Sequence, residues 1–450
     1  MPHPARASRR RRGARRARRW RRTGFAVVAV VGLLGGAELL VRVGAGLAGL
    51  DLQVDPLPVH EDYTVVCPEG EGLKLCPDQG PDYEKVRPER FSAVPERPRV
   101  AVVGESFVYG TGLTAEEAWP ARLEAHLRNA HGTDVEVLNL GRCGTYASRL
   151  VATVHAATAE VNADVVVLAI GNNEHTMTSF YTGRAAHHPR LMYDLGRTLG
   201  QVRLYGLLVH LLGAHRPPVE SPLRADDPVR QFDNALDQAV YAARRRPPDL
   251  SVFPQRLAGP EVTRLLEREQ RLKEAIFEDR LTAMVRGLQD ADVQVVLATL
   301  PRSLVAPPTL SGTRTEQADV LRSLIAAPVL SEDQLTTGLS IDPTVAHLLH
   351  ARGQQLLRSG DPSGAAAAFQ LAAEHDLVPD STPGLAAITR RVAANRGTPL
   401  VDLDRLAEQW LSSPAPRFLD KVHVNARGAD EVGAAVAEVV APSLARTALD

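Results

Sequence analysis

The sequence predicts an α/β domain with a parallel, doubly wound sheet, preceded by an apolar helix and interrupted by a helical insertion. Three observations predict it. Short apolar, β-branched runs stop on glycine or polar turns. Amphipathic stretches separate these runs at the pace of strand–helix–strand units. The ends of three runs carry polar residues, and open α/β sheets bind and react at strand ends.

The first run is Arg99-Val100-Ala101-Val102-Val103-Gly104, which delivers Glu105-Ser106. A helix is expected over 115–129, with Trp119, Leu123 and Leu127 four apart on one face. The second strand, Val135 to Leu140, runs into the turn Gly141-Arg142-Cys143-Gly144-Thr145. A helix over 146–161 leads to the third strand, Ala163 to Ile170. That strand is nearly all apolar and so predicted to be buried on both faces. It ends at Gly171-Asn172-Asn173-Glu174-His175.

Residues 176–258 hold His, Arg and Pro clusters and read as an insertion near the site. Pro260 to Leu288 predicts a long amphipathic helix, and Val293 to Leu300 the fourth strand, closed by Pro301. Loop and short helix are expected over 302–340. Residues 344–379 have the spacing of two short helices meeting at Ser359-Gly360-Asp361, similar to one tetratricopeptide unit. An ordinary helical hairpin gives the same pattern, and a lone unit must bury its open face on the host. Residues 399–403 form the expected fifth strand, followed by a loop holding Asp420 and His423, and a helix over 426–440 closes the domain.

The near-neutral charge hides an asymmetry. Eleven arginines and no acids lie in the first 22 residues, so the rest holds 41 basic and 53 acidic residues, a net charge near −12. A body so charged excludes nucleic acid as its partner. An apolar run, Phe25 to Ala37, follows the arginines, and with Leu39-Leu40-Val41 and Val43 to Leu50 it reaches membrane-spanning length if Glu38 and Arg42 pair on one helix face. Basic residues ahead of such a span place the amino terminus in the cytoplasm and the body outside. A cleaved signal peptide, cut near Ala45 to Gly49, and a nucleic-acid-binding arm are the alternatives. The apolar run directly behind the arginines favours insertion in the membrane.

The expected organisation is a basic segment 1–23, a signal anchor 24–50, a linker and irregular cap 51–97, and a catalytic domain 98–440 with insertions 176–258 and 302–397. Cys67 and Cys76 flank a short polar loop and can close a disulfide, contributing roughly 2–3 kcal/mol through loop entropy, as suits an exported protein. Cys143 is left over and reads as a small buried side chain.

A nucleophile needs a base within reach, and the base needs an orienting acid. Ser106, His423 and Asp420 supply these roles. Gly144 and Asn173, with the Ser106 amide, supply donors for an oxyanion. His175, two residues after Asn173, is a candidate substrate contact. No metal-ligand spacing, P-loop or dinucleotide fingerprint occurs, so no cofactor is expected.

Four blocks, Gly104-Glu105-Ser106-Phe107, Asn139-Leu140-Gly141-Arg142-Cys143-Gly144, Gly171-Asn172-Asn173-Glu174 and Asp420-Lys421-Val422-His423, resemble those of the SGNH/GDSL esterase family. The resemblance covers about 100–175, 290–301 and 398–440. It implies a flavodoxin-like three-layer α/β/α fold, Ser106 as nucleophile, His423 as base, Asp420 as its acid, and Ser106, Gly144 and Asn173 in the oxyanion hole. Glu105 and Glu174 replace the family's usual aspartates, keeping a carboxylate at each position. Position 108 is Val, so the surroundings of Ser106 are not the Gly-x-Ser-x-Gly of an α/β-hydrolase elbow. The amino-terminal anchor and helical insertion resemble a membrane-anchored branch of that family. The expected function is hydrolysis of an acyl ester of a lipid, small molecule or acylated glycan. Acyl transfer to a cell-surface glycan would use the same residues. From another class, a silent binding protein would use 344–379 to hold a protein partner.

Overall fold

The computed structural model describes residues 25, 28–50, 52–53, 65–69, 72–76, 90–174, 189–211 and 256–447, apart from 328, 379–380 and 414. Residues 1–58 with 191–222 form one compact unit, and 59–190 with 223–450 another.

In the first unit, α1 (Val28–Ala48) is long and apolar enough to cross a membrane. The expected pair forms on it, with Arg42 Nε 2.7 Å from Glu38 Oε1. The same unit holds α5 (Pro189–Gly200) and α6 (Arg203–Leu211), which fall in the stretch read as an insertion.

The second unit opens with β1 (Val66–Glu69), β2 (Gly72–Leu75) and β3 (Arg90–Phe91), a small antiparallel sheet where an irregular cap was expected. Cys67 and Cys76 are bonded to each other across its first hairpin. Arg99, fully buried, ties the segment after β3 to the domain: its guanidinium donates to Ser92 O and Glu136 and lies 5.5 Å over the Phe91 ring. An Arg stacked and hydrogen-bonded in this way tolerates burial that a lone charge would not.

The central sheet comprises β4 (Arg99–Gly104), β5 (Glu136–Gly141), β6 (Val165–Ala169), β8 (Gln294–Ala298) and β10 (Leu400–Val401), all parallel, in the order β10-β8-β6-β4-β5. Counted within the sheet this is 2-1-3-4-5, the flavodoxin-like order, whose switch point lies between its first and third strands, here β4 and β6. Two short strands, β7 (Leu257–Ala258) and β9 (Ser311–Gly312), pair separately.

The alternation along β4 and β6 divides the core into two layers. Val100, Val102, Val165 and Val167 face α3 (Trp119–His131) and α14 (Ala426–Thr447). Ala101, Val103, Val166 and Leu168 face α4 (Ala147–Ala159), α7 (Pro260–Asp290) and α12 (Pro383–Arg396). Burial on both faces is why these strands read as continuous apolar runs. The helix expected from 115 starts at Trp119, because Pro120 suits the first turn and Ala118 is extended.

Residues 302–340, expected as loop and short helix, hold the short helices α8 (Ala318–Ala326) and α9 (Glu332–Ile341), and β9 besides. A Ser331–Gln334 capping box starts α9. Next come α10 (Ala346–Arg358) and α11 (Pro362–Glu374), a helical hairpin turning at Ser359–Asp361. Gly353 lets the Phe369 ring approach to 2.6 Å of where a Cβ would stand. Phe369 and Ala365 pack on Leu304, and Leu348 on Leu321 and Leu335, so both helices of the hairpin face the host domain. After β10 comes α13 (Leu403–Gln409), so a helix intervenes between the last strand and the Asp420–His423 loop.

Candidate active site

Ser106 sits where β4 turns into α2 (Ser106–Tyr109), with its residue surface 8% exposed. The turn requires Gly104: a Cβ there would stand 2.2 Å from Ala169 O and 2.3 Å from Val108 Cγ2. Asn139 braces the same turn from β5. Its Nδ2 donates to Val108 O at 3.0 Å, while its Oδ1 accepts from Gly141 N at 3.0 Å.

From the far end of the chain, the loop before α14 brings Asp420 and His423 to this serine. His423 Nε2 lies 2.8 Å from Ser106 Oγ, and Nδ1 lies 2.6 Å from Asp420 Oδ2. Asp420 Oδ1 accepts the amides of Val422 at 2.9 Å and His423 at 2.8 Å. The amide of Leu419 donates to His423 O at 2.7 Å, closing the loop on itself. Partial burial pulls the Asp420 carboxyl upward. The His423 ring and the two amides outweigh that, and hold it below the usual carboxylate range. An ionised Asp420 accepts only, so the ring proton rests on Nδ1 and Nε2 is left to take a proton from Ser106.

Gly144 and Asn173 follow β5 and β6, the strands on either side of β4. Gly144 has a φ of 65°, a left-handed conformation that glycine adopts without strain. Asn173 is half-buried in the turn after β6. The structure thus gathers Ser106, Asp420 and His423 in direct contact, with Gly144 and Asn173 on neighbouring strand ends. His175 lies outside the described residues. Cys143 is half-buried, with its Sγ 3.3 Å from Thr111 Oγ1. Among the described residues no group of three or more His, Cys, Asp or Glu side chains is placed to hold a metal ion.

Beneath the site lies a buried carboxyl pair whose role the sequence did not reveal. Glu105 is fully buried and accepts Gly171 N at 2.9 Å and Asn172 N at 2.7 Å, so it shapes the turn presenting Asn173. Glu174, also buried, accepts Ala147 N at 2.7 Å at the start of α4. Burial and repulsion from Glu174 push the Glu105 carboxyl well up. Burial raises Glu174 to about 7, against the pull of the Ala147 amide and Lys273. Burial thus disfavours the charged form of both carboxyls. The only advance signal was a Glu at each of two positions where the resembling family carries Asp.

The model of the GDSL-like lipase/acylhydrolase family matches residues 102–330, which include Ser106, Gly144 and Asn173 and end before Asp420. Curated proteins give no match. Among solved structures, similar chains include LAE5, an alpha/beta hydrolase from the metagenome of Lake Arreo, at 15% identity, covering 76% of this chain and 94% of that one with a TM-score of 0.33. An acetyl xylan esterase, AlAXEase, is similar at 12% identity, with coverages of 76% and 99% and a TM-score of 0.33. A lipase/acylhydrolase from Enterococcus faecalis is similar at 11% identity, with coverages of 77% and 96% and a TM-score of 0.32. Overlaps this loose say nothing about substrate. The family match spans half of the chain, the strand order is the flavodoxin-like one, and the chain belongs to the GDSL-like lipase/acylhydrolase family, as an SGNH-type hydrolase acting on esters.

Proposed function

We propose that the protein is a serine esterase that works through an acyl-enzyme, held outside the cytoplasm by α1. The observation that carries this reading is the unbroken chain of short contacts from Ser106 Oγ to His423 Nε2 and from His423 Nδ1 to Asp420 Oδ2. As Ser106 Oγ attacks the acyl carbon, its proton passes to His423 Nε2, and Asp420 stabilises the imidazolium. The oxyanion takes hydrogen bonds from the Ser106 and Gly144 amides and the Asn173 side chain. On collapse, the C–O bond to the alcohol breaks, and the leaving alkoxide takes the proton from His423. Water then gives a proton to His423 as it attacks the acyl carbon, and Ser106 leaves with that proton restored.

The bonded Cys67–Cys76 pair suits an oxidising compartment, and the arginine-rich segment before α1 suits a cytoplasmic amino terminus. Together they support a single-pass orientation with the catalytic unit outside.

Labelling with a fluorophosphonate probe tests the reading. Wild-type protein is expected to label at Ser106, and Ser106→Ala and His423→Ala to lose the label. Labelling that persists in Ser106→Ala, or a folded wild type that does not label, overturns it. Competition between water and glycan hydroxyls for the acyl group separates hydrolysis from acyl transfer.

A further inference from the structure

Glu38 is the one acidic residue in α1, and its carboxylate is fully engaged. Oε1 accepts Arg42 Nε at 2.7 Å and Arg203 N at 2.9 Å, and Oε2 accepts Leu204 N at 2.7 Å. Arg203 and Leu204 open α6, so Glu38 satisfies amides that the first turn of a helix leaves without an internal acceptor. The connection is reinforced nearby. Arg42 donates to Gln201 O at 3.4 Å, and Gly206 comes so close to Leu52 that a Cβ would stand 1.7 Å from its carbonyl oxygen.

Glu38 lies ten residues from either end of α1, about 15 Å from each at 1.5 Å per residue. If α1 crosses the bilayer, this carboxylate and the start of α6 both lie at membrane depth. There a bare carboxylate and bare amides are each strongly unfavourable, and each removes the other's penalty. In water neither would need the other.

Part of the remaining surface of α5 and α6 matches such surroundings. Leu191 and Leu195 are one turn apart on α5 and 64% and 47% exposed. Leu208 and Leu211 are one turn apart on α6 and 48% and 69% exposed. On α5 the charged residues Arg190, Asp194 and Arg197 share a different face.

We propose that α5 and α6 are membrane-embedded helices, with α6 docked on α1 through Glu38 and Leu191, Leu195, Leu208 and Leu211 facing lipid acyl chains. This rests on the reading of α1 as a membrane anchor, and the experiment keeps the two apart. The full chain carrying Cys143→Ala is reconstituted in phosphatidylcholine–phosphatidylglycerol vesicles with a nitroxide at Leu195→Cys or Leu208→Cys. Leu40→Cys serves as the anchor reference, and Val320→Cys on α8 as the water reference. Collisions with molecular oxygen, which partitions into acyl chains, are compared with collisions with a water-confined nickel chelate. The expected oxygen-to-nickel ratio at 195 and 208 matches that at 40 and is several-fold above that at 320. A water-like ratio at 195 or 208 with a lipid-like ratio at 40 overturns the embedding of α5 and α6 and leaves the anchor standing. A water-like ratio at 40 overturns both. Leu191→Cys and Leu211→Cys read the same faces if either first variant misfolds. In Glu38→Leu the nitroxide at 208 is expected to gain mobility while that at 40 does not. Unchanged mobility at 208 refutes docking through Glu38.

Discussion

Replacing Glu174 by Gln tests how far burial raises the carboxyl beneath the active site. Gln keeps the size of the side chain and an oxygen to accept the Ala147 amide, and removes only the titration. Glu174 is 2% exposed, and its carboxyl is raised from 4.5 to about 7. A carboxyl with a raised folded-state pKa binds more protons folded than unfolded across that window. Its contribution to stability is therefore complete below pH 4.5 and is lost as pH rises through about 7. At about 1.4 kcal/mol per pKa unit, the loss amounts to about 3 kcal/mol. For a domain of this size, with an unfolding entropy of about 2 cal/mol/K per residue, that corresponds to about 4 °C in Tm. The assay is thermal unfolding, followed by near-ultraviolet circular dichroism, from about pH 4.5 to about pH 8. The variant is expected to match the wild type at the acid end and to melt about 4 °C higher at the alkaline end. Parallel curves across the range, or a variant that melts lower at the alkaline end, would refute the raised Glu174 carboxyl.

Other outcomes follow from the site. Asp420→Asn leaves His423 without its acceptor for the ring proton, and kcat is expected to fall by about four orders of magnitude with KM little changed, measured on a chromogenic ester. Asn173→Ala removes one of the proposed oxyanion donors and is expected to lower kcat by about 100- to 1,000-fold. Gly104→Ala forces a Cβ onto the Ala169 carbonyl and Val108, and is expected to lower stability by about 3 kcal/mol or more, seen as loss of soluble folded protein.

The parallel strands were legible because burial on both faces leaves no polar alternation, so Val100–Val103 and Val165–Ala169 stand out as apolar runs. The contact set of Ser106, His423 and Asp420 was legible because each residue occupies a motif at a strand or helix boundary. Less could be read where the physics is non-local. The β1–β3 sheet consists of strands of four residues or fewer, too short for a period to show. Glu38 gave away its neighbour Arg42, four residues off, but not Arg203 and Leu204, which reach it from the opposite side of 165 residues of chain. Glu105 showed only as a substituted motif position, because backbone amides as partners leave no mark in composition. The helix between the last strand and Asp420 was missed because only seven residues form it.

Ser106 and His423 are 317 positions apart, yet their side chains touch. A ribosome thus completes the strand leading into Ser106 long before it has made His423. On the mechanism proposed above, the serine is an ordinary alcohol until the closing helix docks and carries the Asp420–His423 loop into place. On that mechanism a chain released early carries no activated serine to attack esters. Catalysis by that mechanism would itself report that the Asp420–His423 loop has reached the Ser106 strand.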